Sequence, residues 1–324
     1  MIRKNTYKIG DLGDIGLDEN RIDQLNYSIS TGTASRVCII KNNQVKIVIK
    51  KGIRTDANIN ALREFSILRL LSMRSSEKHF PTPFYVDIEK DIIIMEWIDG
   101  EVVNTLDNEG IVQIAQALSI IHQTEYKKPG LPFFTRKKTN QLNRLQNQIE
   151  FLESRFTSVG HLISRENLNS KNPQTDLMEA KIRITARITR SQSAFLGCSF
   201  SVIHYDINPT NTLRTSDDSI VFIDWGQSSI GDRAMDIAKF FYKFNIDEVG
   251  QRVFFGEYLR WIKDNDLIER SGVYYPLVIF NSLLWRLRFL YVDTKKLPGF
   301  FKEVKIKQVR EKLIQDFNFL TTQM

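Results

Sequence analysis

The side chains with the clearest chemical capability in this 324-residue chain lie in His204-Tyr-Asp206-Ile-Asn208-Pro-Thr-Asn211 and in Ile223-Asp224-Trp225-Gly226, whose Asp224 comes thirteen residues after Asn211. Moving a γ-phosphoryl group asks little covalent chemistry of a protein, but it needs an oriented hydroxyl and a divalent cation that bridges phosphate oxygens. His-x-Asp-x-x-x-x-Asn followed by a second Asp supplies both. Asp206 can accept a hydrogen bond from an attacking hydroxyl, while the amide oxygen of Asn211 and the carboxylate of Asp224 are hard oxygen ligands suited to Mg²⁺. The flanks agree: Val202-Ile203 and Thr212-Leu213 are short apolar or β-prone stretches, Asp217-Asp218 marks a turn, and Ile220 to Ile223 reads as a buried strand ending at Asp224. The expected unit is a loop, a hairpin and a metal-binding loop.

This segment resembles the catalytic region of aminoglycoside phosphotransferases and choline kinases, the small-molecule branch of the protein-kinase-like fold, which carry a similar His-x-Asp-x-x-x-x-Asn and an Ile-Asp-Trp/Phe motif. Gly231-Asp232-Arg233-Ala234-Met235-Asp236-Ile237-Ala238 is similar to the family's Gly-Asp-Pro-x-x-Asp-Leu-Ala. The resemblance implies a catalytic set of His204, Asp206, Asn211 and Asp224, in which His204 holds the loop and Asn211 and Asp224 bind Mg²⁺. It makes Asp236 a buttress of the catalytic loop, with Asp232 capping the same helix. It also implies an α+β, two-lobed protein-kinase-like fold. A small antiparallel-sheet N-lobe over residues 1–97 would bind ATP or GTP, and a mostly helical C-lobe over residues 98–324 would carry catalysis and a small-molecule acceptor.

Upstream, Ser30-Thr31-Gly32-Thr33-Ala34-Ser35-Arg36 leads into Val37-Cys38-Ile39-Ile40, a polar Asn42-Asn43, and Val45-Lys46-Ile47-Val48-Ile49-Lys50, the pattern of a hairpin with a short polar turn. Small residues at Gly32, Thr33 and Ser35 let backbone N–H groups approach phosphate oxygens closely. Side chains alternate along a strand, so Lys46, Val48 and Lys50 share one face and Val45, Ile47 and Ile49 the other. Lys50 stands where the resembled family has its phosphate-binding lysine, with Val48 facing adenine; Lys46 and Lys51 are the alternatives to Lys50. Ala57 to Ser72 reads as an amphipathic helix with Leu62, Phe65, Leu68 and Leu71 as its apolar stripe and Arg63, Glu64 and Arg69 around its polar sides. By resemblance, Glu64 pairs with the nucleotide lysine.

Pro81-Thr82-Pro83 breaks the chain before Phe84 to Ile88, and a Glu-Lys-Asp turn leads into Ile92 to Ile98. The resemblance makes Glu96 to Ile98 the hinge, whose backbone N–H and C=O groups meet the adenine edge, so Glu96 and Ile98 are the expected contacts. Ile111 to His122 is helical and His122 is expected to be packed within it. Residues 131–200 carry no legible motif: Asn140 to Gln148 and Lys181 to Phe195 read as helices and Ser164 to Thr175 as a loop.

Composition bounds the alternatives. A chain that is 42% hydrophobic can build a sizeable core, which excludes the disordered and small-disulfide classes. Two cysteines, Cys38 and Cys198, give neither a disulfide framework nor a zinc pattern, and the histidines 79, 122, 161 and 204 lack metal-ligand spacing with them. The start is polar and no run of eighteen apolar residues occurs, so a cytoplasmic enzyme without a membrane span is expected. The formal charge of +7 raises nucleic-acid binding, yet the basic residues are scattered, and Lys302 to Lys312 alternates with apolar residues as the solvated face of a helix does. After Ile237 there are ten Asp/Glu against fifteen Lys/Arg, a balance that disfavours a polycationic acceptor, although Asp232, Asp247, Glu248 or Glu257 could line a local acidic pocket. Two other classes compete. A protein kinase would share this chemistry, but no Ala-Pro-Glu segment follows Asp224 and no activation loop of usual length precedes Asp236. A nucleotide-binding pseudokinase module would lack the metal ligands that this chain carries.

Overall fold

The computed structural model describes residues 26–31, 35–41, 46–52, 60–75, 77–124, 141–292, 294 and 299–323. The chain opens with strands β1 (Asn26–Thr31), β2 (Ser35–Lys41) and β3 (Lys46–Gly52), helix α1 (Asn60–Arg74), and strands β4 (Pro83–Asp87) and β5 (Ile92–Glu96). The five strands form one antiparallel sheet in the order β1-β2-β3-β5-β4. Alternation decides its faces: Cys38, Ile40, Ile49 and Ile92 are buried together on one side, with Ile47 and Ile94 against them. Val48 and Lys50 therefore belong to the other face, Val48 opposite Ile39 and Met95 and Lys50 opposite Val37 and Ile93.

Helix α1 differs from expectation in which face it buries. Ala61, Glu64, Ile67, Leu68 and Leu71 are the buried positions, and Glu64 is only 1% exposed. Leu62 and Phe65 are half-buried. The apolar stripe read from sequence is thus rotated by about one residue toward Glu64. The inward-facing Glu64 is paired there with Lys50.

After β5 come β6 (Gly100–Val102), α2 (Asn108–His122), α3 (Gln141–Val159), α4 (Pro173–Arg190), β7 (Ser201–Ile203), β8 (Thr212–Thr215), β9 (Ile220–Phe222), β10 (Ser229–Gly231), α5 (Ala234–Lys243), α6 (Glu248–Trp261), α7 (Leu267–Tyr291) and α8 (Gly299–Thr322). The chain groups into two compact units. One draws on 1–136, 200–236 and 246–263, the other on 137–199, 237–245 and 264–324. In the first, β6-β8-β9 and β10-β7 form small antiparallel sheets that fix the loops between their strands. Helix α2 is buried on nearly every side, from Gly110 to His122, and packs on α6. Its N-cap is Asp107, whose side chain accepts the Gly110 N–H at 2.9 Å.

In the second unit, α4 starts at Pro173, ahead of the expected Lys181, because proline at the first helical turn carries a φ already suited to a helix. Leu177, Ala180, Ile184 and Ile188 form its buried stripe, and α8 buries Val309, Leu313, Phe317 and Leu320. Tyr242 and Arg286 both reach the carboxylate of Asp316 within this unit. Among the described residues no helix is long and apolar enough to cross a membrane.

Leu118 has no solvent exposure, so Leu118→Ala should cost about 3 kcal/mol through lost burial and a residual cavity. Asp107→Ala, which removes only the cap, should cost about 1 kcal/mol. Thermal melts of the two variants should rank in that order.

Candidate active site

Strand β3 and helix α1 bring Lys50 and Glu64 together, and the loop after β9 adds Asp224. The Lys50 Nζ donates to Glu64 Oε2 at 2.8 Å and to Asp224 Oδ1 at 2.6 Å. Glu64 Oε1 accepts the backbone N–H of Trp225 at 3.0 Å, so one carboxylate grips both the lysine and the loop of Asp224. Gly226 borders this group, where a Cβ would stand 3.3 Å from Lys50 Nζ. Burial acts to lower the Lys50 pKa, but the charges of Glu64 and Asp224 outweigh it and hold the pKa above its ordinary value. Burial likewise acts to raise Asp224, and the Lys50 ammonium overcomes it and holds that carboxyl low. Glu64, fully enclosed, is pushed up by burial against the pull of Lys50.

The loop that carries Asp206 follows β7. Tyr205 at its start has a φ of 65°, and Asp224 has a φ of 62°. Left-handed backbone at residues other than glycine costs energy and persists only where the surroundings hold it. Asp236, with no exposure, accepts the N–H groups of His204 at 2.6 Å and Tyr205 at 2.8 Å. His204 joins the two loops: its Nε2 bonds to the Ile223 carbonyl at 2.9 Å, and its Nδ1 accepts the Asp206 N–H at 3.2 Å. This pair of bonds selects the neutral ring with its proton on Nε2, and burial pushes the His204 pKa down in agreement.

Asp236 has a third donor in His122, whose Nε2 lies 3.3 Å away while its Nδ1 meets the Tyr258 hydroxyl at 2.7 Å. Burial lowers the His122 pKa as well, so the neutral ring donates to Asp236 and accepts from Tyr258.

Asn211 Nδ2 donates to the Asp206 carbonyl at 3.0 Å and to Asp206 Oδ2 at 3.1 Å. Its amide oxygen takes no hydrogen bond among the described residues. The Asn211 carbonyl accepts the Ile223 N–H at 2.9 Å, which sets Asn211 in the turn beside Asp224. The amide oxygen of Asn211 and the half-exposed carboxylate of Asp224 fit Mg²⁺, a cation held by one or two protein oxygens together with substrate phosphates. Among the described residues no group of three or more His, Cys, Asp or Glu side chains is placed to hold a metal ion by itself.

The other expected contacts are placed unevenly. Gly32 and Thr33 lie outside the described residues, and Ser35 opens β2 opposite Gly52. Val48 is half-buried in β3. Lys46 pairs with Asp99 instead of the acidic pair that Lys50 meets. At the hinge, the Glu96 side chain accepts from the Thr82 N–H at 3.1 Å and the Thr82 hydroxyl at 2.7 Å, and the Glu96 N–H goes to the Thr82 carbonyl at 2.9 Å. The Trp97 N–H goes to the Lys46 carbonyl at 3.1 Å. Of the three hinge N–H groups, the one with no hydrogen bond among the described residues is that of Ile98.

Three of the four carboxylates considered for an acidic pocket have local tasks. Asp232 caps α5 at the Ala234 N–H, Asp247 caps α6 at the Gly250 N–H, and Glu257 accepts from Gln116, Arg260 and Trp261. Sequence reasoning did not single out the Trp225 N–H bond to Glu64 or the two left-handed residues. A bond made by a backbone group leaves no side-chain signature.

The Asp236 carboxylate is acted on upward by burial, but His122 and the loop N–H groups hold its pKa below the ordinary 3.8. Its contribution to stability is therefore complete above pH 3.8 and is lost as the pH falls through the lower folded-state value. Asp236→Asn should cost about 2 kcal/mol at neutral pH. The gap in Tm between the two proteins should stay constant near neutrality and narrow below about pH 3.8.

Comparison with known proteins bears on the family and the fold. A model of the phosphotransferase enzyme family matches residues 28–262. A LicA homolog from Metamycoplasma hominis is 24% identical over 238 residues, 73% of this chain and 80% of that protein. Among solved structures, an ethanolamine kinase from Plasmodium vivax is similar with a TM-score of 0.63 at 20% identity, covering 95% of this chain and 86% of the other. An ADP-bound aminoglycoside phosphotransferase, APH(2'')-Ib, has a TM-score of 0.59 at 16% identity over 97% of this chain and 99% of its own. These likenesses show an α+β fold of the protein-kinase-like class. With its matched span covering well over half of the sequence, the chain belongs to the phosphotransferase enzyme family, as a kinase with a hydroxyl acceptor.

Proposed function

We propose that this kinase transfers the γ-phosphoryl group of ATP or GTP, with Mg²⁺, to the hydroxyl of a small amine-bearing alcohol. The observation that carries the reading is the convergence of Lys50, Glu64 and Asp224 beside a loop in which Asn211 holds the Asp206 carboxylate. Asp206 Oδ2 is engaged by Asn211, and Oδ1 takes no hydrogen bond among the described residues, so it is the oxygen offered to an acceptor hydroxyl. As the hydroxyl oxygen bonds to the γ-phosphorus, its proton passes to Asp206 and the nucleoside diphosphate leaves. Lys50 orients the phosphates, and Glu64 keeps its ammonium in place. Asn211 and Asp224 would hold Mg²⁺, which would supply charge neutralisation during the transfer. His204 and Asp236 position the loop.

For the nucleotide base we assign the Ile98 N–H as donor to the adenine edge, with Val48 on the same sheet face as Lys50 covering the ring. Gly32, Thr33 and Ser35 are assigned to the phosphate loop. On this reading residues 1–97 bind the nucleotide and residues 98–324 carry catalysis and acceptor binding. The acceptor class draws on relatives named for ethanolamine and for aminoglycosides, both of which carry amines. A cytoplasmic setting is supported by a composition with only two cysteines.

Asp206→Asn keeps size and polarity while removing the proton acceptor. It should lower kcat by about 10² to 10⁴ with nucleotide affinity nearly unchanged, and near wild-type turnover would exclude this role for Asp206. Asp224→Ala should abolish the additional rise in Tm that Mg²⁺ gives to the nucleotide complex. A phosphoryl-transfer screen with choline, ethanolamine, an aminoglycoside and neutral sugars should return an amine-bearing acceptor. Preference for a neutral sugar would overturn that class.

A further inference from the structure

Asp91 stands in the turn between β4 and β5, remote in sequence from every motif, yet it is only 8% exposed and has a left-handed φ of 50°. Asp and Asn are the side-chain-bearing residues that adopt this conformation most readily. Two bonds account for its placement. The Asp91 carbonyl accepts the Gly52 N–H at 3.0 Å, at the end of the strand that carries Lys50. Asp91 Oδ1 accepts the Ala61 N–H at 3.1 Å, in the first turn of the helix that carries Glu64. A carboxylate at that position also meets the positive end of the helix dipole.

Lys50 is two residues from Gly52 on β3, and Glu64 is one helical turn from Ala61 on α1. The Lys50–Glu64 bond, the Ala61–Asp91 bond and the Asp91–Gly52 bond therefore close a small frame, with the ion pair on one side and Asp91 on the other. The fit at its corner is tight, since a Cβ on Gly52 would lie 1.7 Å from Asp91 Oδ2 and 2.8 Å from its Cγ. Any side chain at residue 52 would push the carboxylate off the helix end.

We propose that Asp91 is a positioning residue for phosphoryl transfer, fixing the spacing between the strand of Lys50 and the helix of Glu64 and thereby the seat of the phosphate-binding ammonium. The proposal rests on the reading of Lys50 and Glu64 as the nucleotide grip. Asp91→Gly tolerates the left-handed backbone but loses the carboxylate. Gly52→Ala keeps Asp91 but displaces it. Asp91→Asn retains both an acceptor oxygen and the tolerated backbone.

The test measures the Kd for MgATP and the release of phosphate from MgATP to water in each variant and in a Glu64→Gln background. Asp91→Gly and Gly52→Ala should each weaken MgATP about tenfold, should not add to one another, and should have little further effect once Glu64 is Gln. Asp91→Asn should restore most of the affinity. A loss in Tm with MgATP affinity and phosphate release unchanged would make Asp91 structural only and overturn the proposal. An equal effect in both backgrounds would do so too, because Asp91 would then act by another route. If Asp91→Gly fails to fold, Gly52→Ala and Asp91→Asn carry the same comparison. Should Glu64→Gln alone leave MgATP binding and phosphate release untouched, the nucleotide-grip reading itself fails, and that outcome is visible before any Asp91 variant is compared.

Discussion

A lysine ammonium enclosed between two carboxylates is the interaction on which the rest of the site depends. Desolvation opposes the charged form of both Lys50 and Glu64, and removing one partner would leave the other as an uncompensated, largely buried charge. Three separate segments must meet for this to work. The strand parity of β3 turns Lys50 away from the apolar cluster, the rotation of α1 brings Glu64 inward, and the turn after β9 carries Asp224 to the same point. The carboxylates are unequal. Glu64 is 2% exposed and Asp224 is 52% exposed at the side chain, so dissolved salt screens the second attraction far more than the first. The contact to the loop is thus the more salt-sensitive of the two, and a phosphate and a cation would compete for both of its partners.

The second half of the site is held by hydrogen bonds to backbone groups. His204 ties the start of one loop to the end of the neighbouring strand, and Asp236 holds two successive N–H groups from below. Those bonds keep Tyr205 and Asp224 in left-handed conformations. Trp225, wholly buried with its ring 4.6 Å from that of His204, fills the space between the loops. The carboxylate of Asp206, which the proposed mechanism uses as proton acceptor, is thus positioned by neighbours whose own orientations are already fixed.

Much of this was legible in the sequence because its signals are local. Period-two alternation places Lys50 and Val48 on one face, and the spacing from His204 to Asn211 is set by one loop. The β2–β3 hairpin and the strand before Asp224 follow from short runs of apolar residues between turn formers, and α2 from the helical spacing of Ile111, Ile114, Ala115 and Leu118. What was hidden depends on partners distant in the chain. Glu64 looks like a polar-face residue until Lys50 and the Trp225 N–H draw it inward, and the hinge N–H groups look equivalent until Thr82 and Lys46 engage two of them. Asp91 lies in a plain turn and acquires meaning only when the ends of β3 and α1 are seen to meet there. The start of α4 was missed for a different reason: polar residues around Pro173 read as a loop, although proline there opens a helix.

The reliance of this site on main-chain partners bears on how such a chain can change over generations. Trp225 offers Glu64 its amide, Ile223 offers His204 its carbonyl, and His204 and Tyr205 offer Asp236 their amides. Every residue except proline carries both kinds of group. Mutation at the donor and acceptor positions therefore leaves these bonds available as long as the backbone path and the packing are preserved, and only the few side chains that reach toward them are chemically fixed. A lineage can replace most of the residues around the reaction centre while keeping its shape, and distant relatives can then diverge in acceptor without rebuilding the machinery that handles phosphate.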